Sequence, residues 1–206
     1  MRRRSIVVGA AIAFCSVWPA AASLAATGAH AAATASATVA GAWGSATEVP
    51  GTAALNKGGV AGVISVSCAS AGNCGAAGNY ADGSGHQQVF VVDEKNGTWG
   101  TAREAPGTAT LNKGGFASFD SVSCATAGNC GASGFYNDGT GQQAFVVSET
   151  NGTWGTAKEV PGTATLNKGG RAAADSVSCA APGNCSAGGA YLDGSRHGQA
   201  FVVSET

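Results

Sequence analysis

The chain has 206 residues, 33 of them glycine and 7 cysteine, with 44% hydrophobic and 11% charged positions and a formal net charge of −1. So much apolar character with so little charge excludes a disordered chain, and near-neutrality excludes the basic footprint of a nucleic-acid binder. The glycines follow no three-residue period, which excludes collagen.

Residues 1–33 read as an export signal peptide followed by a small-residue tract. Arg2, Arg3 and Arg4 form a basic n-region, an apolar run extends from Ile6 to Trp18, and small residues dominate from Ala20 to Ala33. That order belongs to a secretory leader, and the apolar run is too short for a spanning helix. Cleavage fits anywhere from Ala25 to Ala33, and Arg3-Arg4-Ser5 also loosely fits a twin-arginine signal. Cys15 lies in the apolar run and leaves with the leader, while Phe14 before it argues against a lipid anchor. Removing the three arginines leaves 8 Lys+Arg against 12 Asp+Glu, a net charge of −4, and six cysteines. The expected localisation is secreted, by the Sec or Tat route, with no membrane span after signal removal. Residues 34–42 read as a short linker.

Residues 43–206 are three copies of one unit, at 43–98, 99–153 and 154–206. Trp43, Trp99 and Trp154 recur at spacings of 56 and 55, and so do Cys68, Cys124 and Cys179. Self-similarity at such a period marks a repeat architecture. Each copy reads Trp-Gly-x-Ala-x-Glu, then Pro-Gly-Thr-Ala-x-Leu-Asn-Lys-Gly-Gly, then Ser-Val-Ser-Cys, a second Cys, a Tyr-x-Asp-Gly turn and Phe-Val-Val. In the second copy, Ser121 to Cys124 alternates polar and apolar as a half-buried strand does. Cys130 to Tyr136 continues extended, Asp138-Gly139 supplies a tight turn, and Gln143 to Glu149 makes a third strand. Trp154 to Val160 makes a fourth, stopped by Pro161-Gly162. No segment keeps a 3.6-residue period, so the unit reads as four short antiparallel strands in an all-β fold.

The cysteines fit that hairpin. Cys124 and Cys130 flank a turn six residues apart, a separation a disulfide can bridge across paired strands, and export lets it persist. Six cysteines allow 15 connectivities, of which threefold repetition selects Cys68–Cys74, Cys124–Cys130 and Cys179–Cys185. Structural zinc prefers four ligands at shorter spacing, so neither metal nor cofactor is expected.

The stretches Asp93 to Trp99 and Ser148 to Trp154 resemble the Asp-box turn of sialidase-like and Ycf48-like β-propellers, with Asn in place of the usual Asp and one residue fewer. The repeat is also similar to Cys-containing blade repeats in exported actinobacterial proteins of unassigned function. The resemblance implies propeller-like blades and no particular activity. Three blades are too few for an ordinary ring. The first copy begins inside the turn before which the third stops, so the N- and C-terminal strands are expected to complete one shared blade, within one chain or in a homodimer forming a six-bladed ring.

The candidate binding residues are the repeated loops and turns. Asn56, Lys57, Asn112, Lys113, Asn167 and Lys168 lie in long connections of the kind that carry recognition, and Tyr80, Tyr136 and Tyr191 stand beside the Asp-Gly turns. No catalytic set is expected: His86 and His197 sit in hairpins, and Arg103, Arg171 and Arg196 occupy non-equivalent positions. The expected function is an exported, non-enzymatic repeat module that binds extracellular or cell-envelope ligands, carbohydrate among them. The alternatives are a glycan-acting hydrolase or lyase of propeller fold and a purely structural surface repeat.

Overall fold

The computed structural model describes residues 41–205. The expected leader, Cys15 and most of the expected linker lie outside the described residues. The chain divides into Met1–Gly44 and one compact unit, Ser45–Thr206. Within the latter each structural repeat begins with a single helical turn followed by strands, and the Trp-Gly-x-Ala-x-Glu segments that open the sequence copies at Trp99 and Trp154 belong to the preceding sheet. The first repeat contains α1 (Thr52–Leu55), β1 (Ala61–Ser70), β2 (Asn73–Ala81), β3 (Gln87–Lys95), β4 (Thr98–Trp99) and β5 (Arg103–Glu104). The second contains α2 (Thr108–Leu111), β6 (Ala117–Thr126), β7 (Asn129–Asn137), β8 (Gln142–Thr150), β9 (Thr153–Trp154) and β10 (Lys158–Glu159). The third contains α3 (Thr163–Leu166), β11 (Ala172–Ala181), β12 (Asn184–Leu192) and β13 (Gly198–Ser204). The molecule is all-β, with three antiparallel sheets of sequential strands.

Local chemistry explains these elements. Asn96 and Gly97 at φ 50° and 78°, and Asn151 and Gly152 at φ 50° and 79°, are two successive left-handed residues. That is the type I′ turn demanded by a two-residue hairpin, and it joins β3 to β4 and β8 to β9. The fourth strand is not continuous as the sequence suggests. Ala157 N–H leaves the ladder to bond the Pro106 carbonyl at 2.7 Å, so Thr153–Trp154 and Lys158–Glu159 pair separately with β8. The helical turns were not visible as a period because four residues are barely more than one turn. Each is closed by an Asn N–H on a Thr carbonyl: Asn56 on Thr52, Asn112 on Thr108 and Asn167 on Thr163, all 2.8 Å.

The three bridges form as the repeats require, Cys68–Cys74, Cys124–Cys130 and Cys179–Cys185, and each joins directly opposed residues of a hairpin. Three intrachain disulfides place the chain in an oxidising compartment. Among the described residues no helix is long and apolar enough to cross a membrane.

The sheets stack face to face in chain order, with the second between the first and third. Val91 of the first sheet packs in one buried cluster with Phe119, Val122, Phe145 and Trp154 of the second repeat. Val146 and Val160 of the second repeat pack with Ala172 and Phe201 of the third. Burying a large aliphatic or aromatic side chain contributes about 1.5–3 kcal/mol, so these faces hold the stack together. Two polar contacts at each joint then fix its register. Val122 N–H and Cys124 N–H donate to Ser65 Oγ and Ser67 Oγ at 3.1 and 3.0 Å. Val177 N–H and Cys179 N–H repeat this on Ser121 and Ser123 at 3.3 and 3.0 Å. Gly75 and Gly131 let the next repeat's disulfide approach. A Cβ on Gly75 would lie 2.9 Å from Cys124 Sγ, and one on Gly131 would lie 2.9 Å from Cys179 Sγ.

Candidate functional site

The expected binding residues separate into two groups. Asn112 and Asn167 are buried and fully engaged within the fold. Asn112 Nδ2 donates to the Gln87 carbonyl and to Gln88 Oε1 at 2.9 and 3.0 Å, and its Oδ1 accepts Phe116 N–H at 2.7 Å. Asn167 makes the same three contacts with Gln142, Gln143 and Arg171. Asn56, with no repeat before it among the described residues, keeps a buried Oδ1 without a partner. Tyr80 and Tyr136 are buried too, and their hydroxyls donate to Glu104 at 3.1 Å and Glu159 at 3.5 Å. Burial and the facing carboxylates push both phenols well above the usual range. The asparagines pin one repeat to the next and the tyrosines pin the outer strand to its own sheet, so the candidate surface narrows to Lys57, Lys113 and Lys168, with Tyr191 half-buried at its edge.

The three lysines are exposed at equivalent places. The loop of each is tied to the Asp-Gly hairpin of its own repeat. Gly58 N–H bonds the Ala81 carbonyl, Gly114 N–H the Asn137 carbonyl and Gly169 N–H the Leu192 carbonyl, at 2.8–2.9 Å. The lysine stems lie over Gly83, Gly139 and Gly194. The lysine stems therefore lie beside the aspartate turns, while the Lys57 and Lys168 ammonium groups donate to the Ala53 and Ala164 carbonyls of their own helical turns at 3.3 and 3.5 Å. Asp82 Oδ1 accepts Ser84 and His86 N–H at 2.7 and 3.0 Å, and Oδ2 accepts Gln88 Nε2 at 3.1 Å. Asp193 is held in the same way by Ser195, His197 and Gln199. These bonds hold both carboxyls below the ordinary carboxylate range, led by the Gln88 amide at Asp82 and by His197 N–H at Asp193. The result is a rigid, thrice-repeated row of polar groups, built from backbone and short side chains.

A groove of about 430 Å³ lies between the second and third sheets, lined by Val146, Ser148, Lys158, Val177, Val203 and Glu205 among others. The equivalent place between the first and second sheets is filled by Trp154. Its indole N–H donates to Asp93 Oδ1 at 3.2 Å, and Arg103 pairs with the other Asp93 oxygen at 3.3 Å. In the groove Ser148 stands where Asp93 does and Lys158 where Arg103 does, but no tryptophan is present.

Two carboxyl groups that the sequence did not single out have unusual surroundings. Glu149 is 3% exposed with neither oxygen hydrogen-bonded. Burial, and then the neighbouring Asp93 charge, push it up to about 7. Asp120, at the bulge of β6, has a buried Oδ2 without a partner, and burial plus the Asp175 charge push it up to about 6. The available signal for the second was a departure inside the repeat: Asp120 and Asp175 precede Ser-Val-Ser-Cys where the first copy has Ile64. Nothing comparable marked Glu149, because its counterparts Glu94 and Glu205 look the same in sequence. Comparison of the chain with protein-family models and with curated proteins finds no match.

Proposed function

We propose that this chain is an exported, non-enzymatic repeat module of propeller type, and that its lysine–aspartate rim binds an extracellular or cell-envelope carbohydrate bearing anionic groups. The observation that supports this reading is the threefold rim itself. Lys57, Lys113 and Lys168 are exposed on loops tied to the hairpins that carry Asp82, Asp138 and Asp193, with three copies on one body. Repeated weak sites engage a polymer by raising its effective concentration at the second and third sites. Ammonium groups take acidic groups of a glycan, and the turn aspartates accept its hydroxyls. The decisive experiment is a glycan-array screen of the oxidised protein beside a Lys57→Ala/Lys113→Ala/Lys168→Ala triple variant. Binding to acidic glycans is expected to fall at least about tenfold in the variant, the scale of losing a charge-assisted contact of about 1.4 kcal/mol or more. Undiminished binding removes the rim from the reading.

A glycan-acting hydrolase is favoured by one observation, the Asp120–Asp175 pair. A raised carboxyl beside a second carboxylate is the acid–base pairing that glycosidic cleavage requires. New reducing ends appearing in the same glycan samples would select that reading over the binder.

A further inference from the structure

We infer that the groove between the second and third sheets is the seat for residues Trp43 to Glu48 of a second copy of this chain, which completes the third sheet as its outer strand. The inference rests on the two joints the chain makes internally. Across both, a Trp-Gly-x-Ala-x-Glu segment runs along the outer edge of a sheet in one register. Trp99 and Trp154 oppose Glu94 and Glu149. Glu104 and Glu159 oppose Phe90 and Phe145. Ala102 and Ala157 N–H donate to the Pro50 and Pro106 carbonyls, both at 2.7 Å. The same two glutamates accept the Tyr80 and Tyr136 hydroxyls.

At the third sheet every acceptor of that segment is present and the segment is not. Among the described residues β13 has no strand on its outer side. Val202 is 89% exposed, where its counterpart Val91 is 0% exposed. The Pro161 carbonyl receives no backbone N–H where those of Pro50 and Pro106 do. A Cβ on Gly51 or Gly107 would meet a threonine of that segment at 2.5 Å, whereas one on Gly162 meets nothing within 4 Å. No hydrogen bond joins the Tyr191 hydroxyl to a glutamate as at Tyr80 and Tyr136.

The matching segment is Trp43-Gly44-Ser45-Ala46-Thr47-Glu48. Trp43 is fully exposed, and Glu48 accepts only from its own Thr52, at 3.2 Å. Thr47 and Glu48 line a small cleft with Val63, Val66 and Trp99 of the first repeat, at the opposite end of the stack from Val202, so this segment does not reach the groove of its own chain and a second copy supplies it. In the filled groove the Trp43 indole N–H donates to Ser148 Oγ, which itself donates to Glu205 at 2.7 Å and keeps lone pairs free. Ala46 N–H donates to the Pro161 carbonyl, Glu48 accepts from Tyr191, and Thr47 covers Val202. Such a contact is heterologous, and a heterologous contact either closes a ring or extends. Departures from the internal joints include Ser148 for Asp93, Thr47 for Arg103 and Lys158, and Ser186 for Gly75 and Gly131, which puts a hydroxymethyl group at the position that admits the next disulfide.

Light scattering on the oxidised chain recovered from a secreting host tests the inference. The expected species is a dimer or larger. Val202→Arg and Trp43→Ala each alter a side chain that is exposed in the single chain, so both fold with three disulfides. Each alone is expected to weaken association at least about tenfold, because one buries a charge and the other empties the socket. An equimolar mixture is expected to associate again, since the first variant keeps the tryptophan and the second keeps the groove. A wild type that stays monomeric overturns the inference. So does association that survives both substitutions, or a mixture that stays apart.

Discussion

Glu149 shows what a single residue does when it is folded into the joint between two sheets. Its carboxyl is 3% exposed and lies near Asp93, Lys95 and Arg103. Burial is the larger influence and the Asp93 charge the next, and together they raise its pKa from 4.5 to about 7. A carboxyl raised on folding holds its proton more tightly in the native state, so its contribution to stability is fully present below pH 4.5 and is lost as pH climbs to about 7. Asp120, raised from 3.8 to about 6, acts in the same direction over a lower window. Thermal unfolding is therefore expected at a lower temperature at pH 8 than at pH 5. Glu149→Gln should flatten most of that difference, because the amide needs no proton to stay neutral. A wild-type melting temperature that rises between those pH values would contradict the assignment.

At the scale of the element, Asn112 joins the end of α2 to the start of β3 in the preceding repeat. Its amide satisfies the Gln87 carbonyl and the Gln88 side chain, while its oxygen holds Phe116 N–H. Asn112→Ala leaves those buried groups without partners, at a cost of about 1–3 kcal/mol for each group water cannot reach. Urea denaturation should show a lower midpoint with an unchanged slope. Lys113→Ala, one residue on and exposed, should leave the midpoint where it is. This pair of neighbours also marks the boundary of what the sequence shows. The hairpins and bridges were legible because Cys124 and Cys130, or Asn151 and Gly152, interact within a few residues and carry their own turn chemistry. The fate of Asn112 was not, because its partners lie 24 and 25 residues away in another repeat. Repetition shows that a residue recurs and is silent on whether it faces solvent or the next copy. The splitting of the fourth strand was hidden for the same reason: the Pro106 carbonyl that draws Ala157 out of the ladder belongs to the other side of the joint.

On the scale of the whole molecule, stability is graded along the stack. The second sheet is covered on both faces, and Phe119, Ser133 and Phe145 are 0% exposed. The first and third sheets are each covered on one. Stacked repeats draw their stability from interfaces with neighbours, and local opening follows the least covered elements. Hydrogen exchange on the Val202→Arg chain should find the amides of β7 slowest. Those of β13 should be at least about tenfold faster, the scale of losing one interface worth about 1.4 kcal/mol or more. Equal protection of β7 and β13 would mean the three sheets open as one.

The serine contacts between sheets carry a consequence for how such a chain tolerates change. In Ser121-Val122-Ser123-Cys124 the hydroxyls accept from the repeat after it, while the amides of Val122 and Cys124 donate to the repeat before it. One tetrapeptide is thus plug and socket at once, with both functions on alternate residues of a two-residue period. Adding or deleting a complete repeat reproduces the same joint. Adding or deleting one residue within the strand turns the hydroxyls to the opposite face and uncouples two neighbours together. The copy number of this architecture can drift freely in whole steps, whereas its phase is locked.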